Sequence, residues 1–459
     1  MDKLNAAIAS TLTIALALCF SLEAKTLAPV VEVEEEVYSY TPANNGAGPM
    51  WCRGSTCIVR YEDSVFVSGL KTIPDAKALN NCVPLLYHRD NEGWHLIYEG
   101  KDRTREPCPL VVTPDARVLM SVNPTLTPQN TYSGPAQPRI LAFSASKPAS
   151  GFHTIYPQWE GEPKFTEHSY RSFAADGVSG ERVLFQNVGY THAEWAFQDR
   201  QGHWRAQGRL AWPWGSEYDE PQPIRICYPT VALSNRTVYF CGVSDVIEPY
   251  KKWRDYKYEL TGRKWDYDFR RLFFTWSSDI KTGKFHPWLE IASRDQTCGW
   301  ISPQDLYVSP SGEILILWTE RAVDDRLRDA FFPEARQRYS LESAVVRNGQ
   351  VIRRSTILEG GEGLGSQRPG DARIHITPRG RVLIFCYIGN HRAGQSGNYI
   401  IEAFADGTYD SPVLVELAKP ITRFFTSTPR AGNEPSVYLD VLGHSGNTMR
   451  FIRIRVEGL

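Results

Sequence analysis

A hairpin signature that recurs seven times is the strongest constraint on how this chain of 459 residues folds. Each copy has an alternating strand, a tight polar turn and a second strand rich in β-branched and aromatic residues, which is typical of a half-buried antiparallel pair. Several turns, such as TPDA, SPSG and TPRG, place Pro close to Asp or Gly, residues that favour hairpin turns. The copies occupy residues 57–69, 110–122, 172–188, 230–243, 306–318, 374–387 and 428–441.

Successive copies begin roughly 50–75 residues apart, which leaves room for two further strands in each unit. Four antiparallel strands repeated seven times predict an all-β fold, a seven-bladed β-propeller that spans residues 25–459. The segment 30–40 is expected to supply the outer strand of the last blade, so that the ring has no open edge. The alternative is a pair of β-sandwiches in series, which would not be expected to repeat one hairpin signature seven times.

Two stretches, 245–271 and 319–340, interrupt the β pattern. The first is rich in basic and aromatic residues, and the second has helical periodicity with Pro333 near its end. Both fall between the second and third strands of a blade. We therefore expect two loop or helical insertions on the face that carries the mouth of the central channel.

The first 24 residues have the pattern of a secretory signal peptide. A short charged start is followed by an apolar stretch from Ala6 to Phe20 and by a small residue, Ala24, at a plausible cleavage point. The remaining chain has no apolar run long enough for a membrane helix. The sequence therefore predicts a secreted or periplasmic protein without a membrane span.

Eight cysteines remain after the predicted signal, an even number that favours disulfide bonds in an exported protein. Cys227 and Cys241 flank one predicted hairpin and are candidates to pair across it. No CxxC or CxxxH cluster is present, so no metal site is predicted. The sequence leaves a structural calcium ion as an open alternative.

The charges are balanced, with 51 Lys and Arg against 52 Asp and Glu. This balance argues against a nucleic-acid partner, because such binding depends on neutralising phosphates. Arginines nevertheless recur in the loops predicted to surround the mouth, which favours an anionic ligand. Alternatively, some of them bond the backbone between blades. These arginines are Arg53, Arg105, Arg171, Arg225, Arg373 and Arg430.

Two loops of one predicted blade hold the sharpest cluster of reactive side chains. A uronic acid can be cleaved by β-elimination if a cation neutralises its carboxylate, a base removes the C5 proton and an acid protonates the leaving oxygen. Histidine, tyrosine and arginine suit these roles; alternatively, the histidines only satisfy loop carbonyls. The candidates are His168, Tyr170 and Arg171 in one loop and Tyr190, His192 and Glu194 in the next.

Substrate contacts are expected from further arginines and aromatic rings around the mouth. Arg53, Arg105, Arg225 and Arg321 are candidates for the anionic groups of the substrate, and aromatic rings stack on sugar faces. The aromatic candidates are Trp51, Tyr228 and Trp300, with Trp253, Tyr256, Trp265 and Tyr267 from the first insertion.

Glycoside hydrolysis would instead need two carboxylates facing each other across the mouth. Nothing in the spacing singles out a pair. The acidic residues considered are Glu106, Glu194, Asp245, Asp305 and Glu320.

The hairpins SPSGEILILW and TPRGRVLIF resemble degenerate Asp-box repeats of the sialidase-like, BNR-type propellers. With the export signal and the His/Tyr/Arg mouth, the chain is similar to secreted bacterial propeller polysaccharide lyases of the ulvan-lyase type. The resemblance implies proton transfer by His168, Tyr170, Tyr190 or His192, with Arg171 and Arg225 on the substrate carboxylate. The Phe-Arg-Ile-Pro motif at the start of the sialidases is absent. The chain therefore resembles the sialidases less than it resembles the propeller lyases.

These observations together predict a secreted polysaccharide lyase that acts as a monomer on an anionic, uronic-acid-containing polysaccharide. The alternatives are a non-catalytic propeller that binds glycans or proteins, and a sialidase-like glycoside hydrolase.

Overall fold

The computed structural model describes residues 27–391 and 395–457, and in these residues the seven predicted units form seven four-stranded antiparallel sheets. The predicted seven-bladed β-propeller is therefore confirmed. We number the blades in chain order and give the strands of each blade from the innermost outward. Blade 1 contains Ile58–Tyr61, Ser64–Thr72, Cys82–Asp90 and Gly93–Glu99; blade 2 contains Leu110–Thr113, Arg117–Val122, Arg139–Ser144 and Phe152–Ile155; blade 3 contains Ser172–Ala175, Arg182–Val188, His192–Gln198 and Trp204–Ala211.

The next three blades have the same order and longer innermost strands. Blade 4 contains Ile226–Ser234, Thr237–Ser244, Arg271–Ser277 and Leu289–Ser293; blade 5 contains Trp300–Val308, Ile314–Arg321, Arg338–Arg347 and Gln350–Gly361; blade 6 contains Arg368–Ile376, Val382–His391, Gln395–Ala403 and Val413–Val415. Short hairpins add Trp214–Gly215 with Gln222–Pro223 and Val246–Ile247 with Tyr267–Asp268, and single 3₁₀ turns lie at Pro148–Ser150, Ile280–Thr282 and Asp295–Thr297.

Blade 7 combines both ends of the described chain. Its inner three strands are Phe424–Thr426, Tyr438–Ser445 and Thr448–Arg455, and Val30–Ser39 pairs antiparallel with the third as the outermost strand. The innermost strands of blades 7 and 1 also contact each other. The pairing leaves no unpaired edge where the ring closes.

The core lies between neighbouring blades, because each sheet packs both of its faces against the next sheets in the ring. Inner and second strands are accordingly buried along most of their length, as Leu110–Thr113 is throughout. An outermost strand, Trp204–Ala211, instead alternates between buried and exposed residues. This gradient from axis to rim explains why the second strands carry the apolar runs that mark the repeats.

The first insertion forms an α-helix, α1 (Lys251–Thr261), and the second forms a shorter one, α2 (Asp325–Phe331). Both connect the second and third strands of their blades. The ends of the predicted second insertion, 319–321 and 338–340, belong to strands of blade 5. The helices pack against each other, with the ring of Trp253 5.5 Å from that of Phe332 and Tyr256 5.2 Å from Phe331.

A buried ionic network fixes the first insertion to the ring. The Glu248 carboxylate accepts hydrogen bonds from Lys257 Nζ at 2.6 Å and from Arg270 Nη1 and Nη2 at 2.9 and 3.0 Å. Lys257 also lies 3.7 Å from Asp324 at the start of α2. Burial raises the pKa of Glu248, but the charge of Arg270 outweighs this effect and holds the pKa below its usual value.

The predicted disulfides are absent: all eight cysteines in the described part of the chain are buried and free. Cys227 and Cys241 do not face each other, because Cys227 pairs with Val243 and Cys241 with Thr230 on either side of a register shift. These cysteines behave as small apolar core residues.

The predicted signal peptide, residues 1–24, lies outside the described residues. Within the described part of the chain, no helix has the length and apolar character needed to cross a membrane.

Candidate active site at the mouth of the ring

The mouth face collects the loops that precede each innermost strand and follow each second strand. The predicted reactive residues come from loops of blades 3 and 4 and from the connection between these blades. The loops that contribute to the site are 165–171, 189–191, 212–225 and 245–270.

Arg225 is the centre of the site. Its Nη2 lies 2.7 Å from Asp245 Oδ2, and its Nε donates to the Asp245 carbonyl at 3.3 Å. Its guanidinium carbon lies 3.9 Å from the ring centre of Tyr190, 5.4 Å from that of Tyr267 and 5.6 Å from that of Tyr170. Burial alone would lower the pKa of Arg225, but the charge of Asp245 outweighs it and raises that pKa. The residue is therefore a fixed cation.

Tyr190 and Tyr267 form a hydroxyl pair beside this cation. Their hydroxyl oxygens are 2.9 Å apart. The Tyr190 side chain is half exposed, whereas burial and the hydrogen bond to Tyr190 raise the pKa of Tyr267 to about 12. Tyr267 belongs to the hairpin of the first insertion, and sequence reasoning placed it only among possible stacking rings. The long-range packing that brings it to Tyr190 has no local sequence signal.

His168 lies at the same mouth and is the most accessible of the predicted basic groups. Its side chain is 45% exposed, and its Nδ1 lies 3.8 Å from the carboxylate of Glu167. Burial, together with the charges of Arg105 and Arg225, lowers the pKa of His168 to about 3. The imidazole is therefore neutral near pH 7.

Tyr170 and Arg171 are neighbours in sequence but point to different places. Tyr170 has a left-handed φ of +41°, and its ring stacks on Trp51 with the centroids 4.6 Å apart. Burial and the charge of Asp245 raise its pKa well above the usual value, so it is a protonated wall of the mouth. Arg171 is fully buried and donates to Ser169 Oγ and the Pro107 carbonyl, at 2.9 and 2.7 Å.

A pocket of about 260 Å³ adjoins the Arg225 centre on the far side of Trp51. Its polar groups include Arg53, which donates to Ser302 Oγ at 2.9 Å and lies 3.7 Å from Asp371, and Arg423. Sequence reasoning missed Arg423. The aromatic residues in its lining are Trp51, Tyr228, Phe269 and Trp300.

Two further predicted binding arginines lie beside aromatic residues of this pocket. Arg105 is buried, donates from Nε to the Asn45 carbonyl at 3.0 Å, and lies over the ring of Trp51 at 5.0 Å. Arg321 pairs with Trp300 in the strand register, and its Nε is buried without a hydrogen-bond partner in the described residues.

Arg373 and Arg430 occupy the ring interior instead of the mouth. Arg430 binds Asp305 at 2.6 Å and donates to the Gly54 carbonyl at 3.0 Å, and Arg373 donates to the Gln304 carbonyl at 2.9 Å. With Arg171, they join blades through backbone carbonyls and carboxylates.

His192 and Glu194 form a separate cluster on the third strand of blade 3. His192 Nε2 lies 3.2 Å from Glu194 Oε1, which also accepts from Arg209 Nε at 2.9 Å. The other ring nitrogen of His192 lies 2.8 Å from the hydroxyl of Thr191. The structure therefore brings Tyr170 and Tyr190 to Arg225, with His168 near enough for the charge of Arg225 to lower its pKa, while His192 and Glu194 are engaged with each other.

All five carboxylates considered for hydrolysis are bound to arginines. Each lies within 4 Å of a guanidinium nitrogen, and none is exposed. The pairs are Glu106–Arg105, Glu194–Arg209, Asp245–Arg225, Asp305–Arg430 and Glu320–Arg294. No two of them form a free pair on opposite sides of the mouth.

The described residues contain no group of three or more His, Cys, Asp or Glu side chains arranged to hold a metal ion. The structure therefore assigns no site to the calcium ion that the sequence left open.

Solved structures share the propeller architecture. The polysaccharide lyase Uly1 matches with a TM-score of 0.52 at 12% identity, covering 93% of this chain and 94% of that chain. The BP39L lectin from Burkholderia pseudomallei has a TM-score of 0.49 at 9% identity, covering 88% and 96%. An α-L-arabinanase from Penicillium chrysogenum has a TM-score of 0.42 at 12% identity, covering 93% and 98%.

The predicted likeness to a propeller polysaccharide lyase is thereby confirmed for the fold, which is all that 12% identity shows. No protein-family model matches the chain, and the curated proteins include no similar sequence. The resemblance to Asp-box repeats consequently gains no support at the level of sequence.

Proposed function

We propose that this protein is an exported polysaccharide lyase that cleaves a uronic-acid-containing glycan by β-elimination. The observation that carries the proposal is the half-exposed Tyr190 against the fixed cation Arg225, with the accessible His168 near enough for the charge of Arg225 to act on it. The fold shared with a polysaccharide lyase supports the same choice.

Arg225 has donors left for a substrate carboxylate. Its Nε and Nη2 are directed to Asp245, so the two hydrogens on Nη1 are free for a second anion. Binding of the uronate carboxylate there, with the charge of Arg105 nearby, stabilises the carbanion-like state that forms when the C5 proton leaves.

His168 and Tyr190 supply the proton transfers. His168 takes the C5 proton, and the electron pair of the C5–H bond forms the C4–C5 double bond. The C4–O bond breaks, and the leaving oxygen takes the proton of Tyr190. The imidazolium of His168 and the phenolate of Tyr190 then exchange protons with solvent, which restores the starting state. Tyr267 holds the Tyr190 hydroxyl in place through the 2.9 Å contact.

The neighbouring pocket suits the next sugar of the chain. Trp51 and Trp300 offer ring faces, and Arg53 and Arg423 offer donors. A hydrolytic mechanism is disfavoured, because it requires a carboxylate pair and the five candidates are all bound to arginines.

The test is incubation of the purified protein with a panel of uronate polysaccharides while the ultraviolet absorbance of an unsaturated product is followed. We expect one polymer to give the signal, and His168→Ala and Tyr190→Phe to abolish it. Tyr156→Phe is the matched control, because Tyr156 is also exposed and lies under an arginine, Arg139, at 5.8 Å on another blade. That control is expected to keep full activity.

Two results would replace this proposal. Saturable binding without any product would make the protein a non-catalytic glycan-binding propeller. New reducing ends without unsaturation would make it a glycoside hydrolase.

A further inference from the structure

The tip of the first insertion presents a tryptophan and two cations to solvent. Trp265 is 69% exposed, and Arg263 and Lys264 beside it are exposed too. Neither cation forms an ion pair among the described residues, although most arginines of this chain do. An exposed indole next to two unpaired cations matches the surface chemistry of an anionic sugar chain.

Ion pairs and a backbone hydrogen bond of the next residue, Asp266, hold the tip in position. Asp266, the next residue, binds Arg326 of α2 at 2.8 Å and lies 3.6 Å from the buried Lys257. Its carbonyl also accepts a hydrogen bond from the Glu248 backbone at 2.9 Å, which extends the pairing of Val246–Ile247 with Tyr267–Asp268. A ligand at the tip therefore meets a segment that is already ordered, so less entropy is lost on binding.

The tip also lies on the side of the Arg225 centre. Trp265 is only two residues before Tyr267, whose hydroxyl contacts Tyr190. The α-carbons of these two residues are therefore at most about 7 Å apart. Consequently, a polymer that places one unit against Arg225 can extend over Trp265 without leaving the surface.

We propose that Arg263, Lys264 and Trp265 form an outer subsite that binds a further anionic sugar unit of the same glycan chain. This inference rests on the proposed function and deepens it: the substrate is a polymer with several charged units, and the enzyme discriminates by chain length. The overall charge balance favours a glycan over a nucleic acid as the occupant of this basic and aromatic tip.

The test measures, by calorimetry, the binding of two ligands: the intact polymer that the wild type cleaves, and a trisaccharide cut from that polymer. All variants carry Tyr190→Phe, which suppresses turnover. Trp265→Ala is expected to weaken polymer binding about tenfold and to leave trisaccharide binding unchanged. The double variant Arg263→Gln/Lys264→Gln is expected to weaken it similarly and to reduce its dependence on salt.

Matched controls lie on the opposite face. Phe404→Ala removes another exposed ring, and Lys281→Gln/Lys284→Gln removes two exposed cations; neither control is expected to change polymer binding.

The inference is overturned if the tip variants bind the polymer like the wild type, or if they lose the same factor with the trisaccharide. It is also overturned if a single-stranded oligonucleotide binds more tightly than every polysaccharide and loses affinity in the tip variants. If the wild type cleaves the polymer in any of these cases, only the outer subsite fails. A wild type that neither binds nor cleaves any polysaccharide removes both proposals.

Discussion

The hydroxyl pair of Tyr190 and Tyr267 allows an experiment that distinguishes a proton donor from a residue that only positions the donor. Tyr190→Phe and Tyr267→Phe each remove the same 2.9 Å contact and keep both rings around Arg225. A hydrogen bond between partly exposed groups contributes about 0.5–1.5 kcal/mol, so both variants are expected to lose the same small amount of stability. The two variants differ only in which hydroxyl remains.

Loss of a positioned proton donor costs about 10²–10⁴ in rate, whereas loss of an orienting hydrogen bond of up to about 1.4 kcal/mol costs about tenfold. We therefore expect kcat to fall by about 10²–10⁴ in Tyr190→Phe and by about tenfold or less in Tyr267→Phe. The assay is the initial rate of unsaturated product formation at saturating polymer, with melting temperatures measured in parallel.

Equal losses of kcat in the two variants would refute the assignment, since the shared hydrogen bond would then explain both. The reverse ranking would move the donor role to Tyr267. A drop in melting temperature confined to Tyr190→Phe would mean that the loss of rate reports folding.

Three further predictions concern pH, stability and redox state. Because the pKa of His168 is about 3, roughly 99% of this side chain is neutral at pH 5, so kcat/KM should show no acid limb from it between pH 8 and pH 5; an imidazole NMR resonance that titrates near pH 6.5 and is missing in His168→Gln would contradict this. Glu248→Gln should lower the free energy of unfolding by about 1–3 kcal/mol in calorimetry, because Lys257 and Arg270 lose the anion that they share although Arg270 keeps Asp295 at 2.7 Å, while Glu259→Gln on the exposed side of α1 should change little; equal melting temperatures would show that the network is not stabilising. Excess dithiothreitol should leave the melting temperature unchanged, since the described cysteines are free, and a clear decrease would reveal a disulfide.

The blades were predictable because their pattern is local. The stretch 110–122 contains two strands, Leu110–Thr113 and Arg117–Val122, around a turn in which Ala116 takes a left-handed φ of +59°. Alternation and turn residues encode this hairpin within thirteen positions, and seven such hairpins leave few other architectures. The prediction of disulfides was wrong because cysteine pairing depends on contacts between distant segments. An even count of cysteines says nothing about which side chains meet across blades.

The site was less predictable because a single backbone angle redirects side chains. The left-handed φ of Tyr170 turns the ring toward Trp51 and sends Arg171 into the interior, and nothing in the sequence of this loop marks that turn. Arg225 was named only among the binding residues, yet the structure makes it the centre. Its partners come from segments that meet only once the ring is built.

The strand that completes blade 7 has a consequence for how the protein is made. Val30 pairs with Arg455 and Ser39 with Thr448. The first described strand of the chain therefore cannot pair until the last strand has been synthesised. All seven blades must be synthesised before this pairing can form. Contacts between residues so distant in sequence form slowly. Until then, Val30–Ser39 has no partner strand and can pair with other chains. Nascent or C-terminally truncated chains are therefore the species most prone to aggregate.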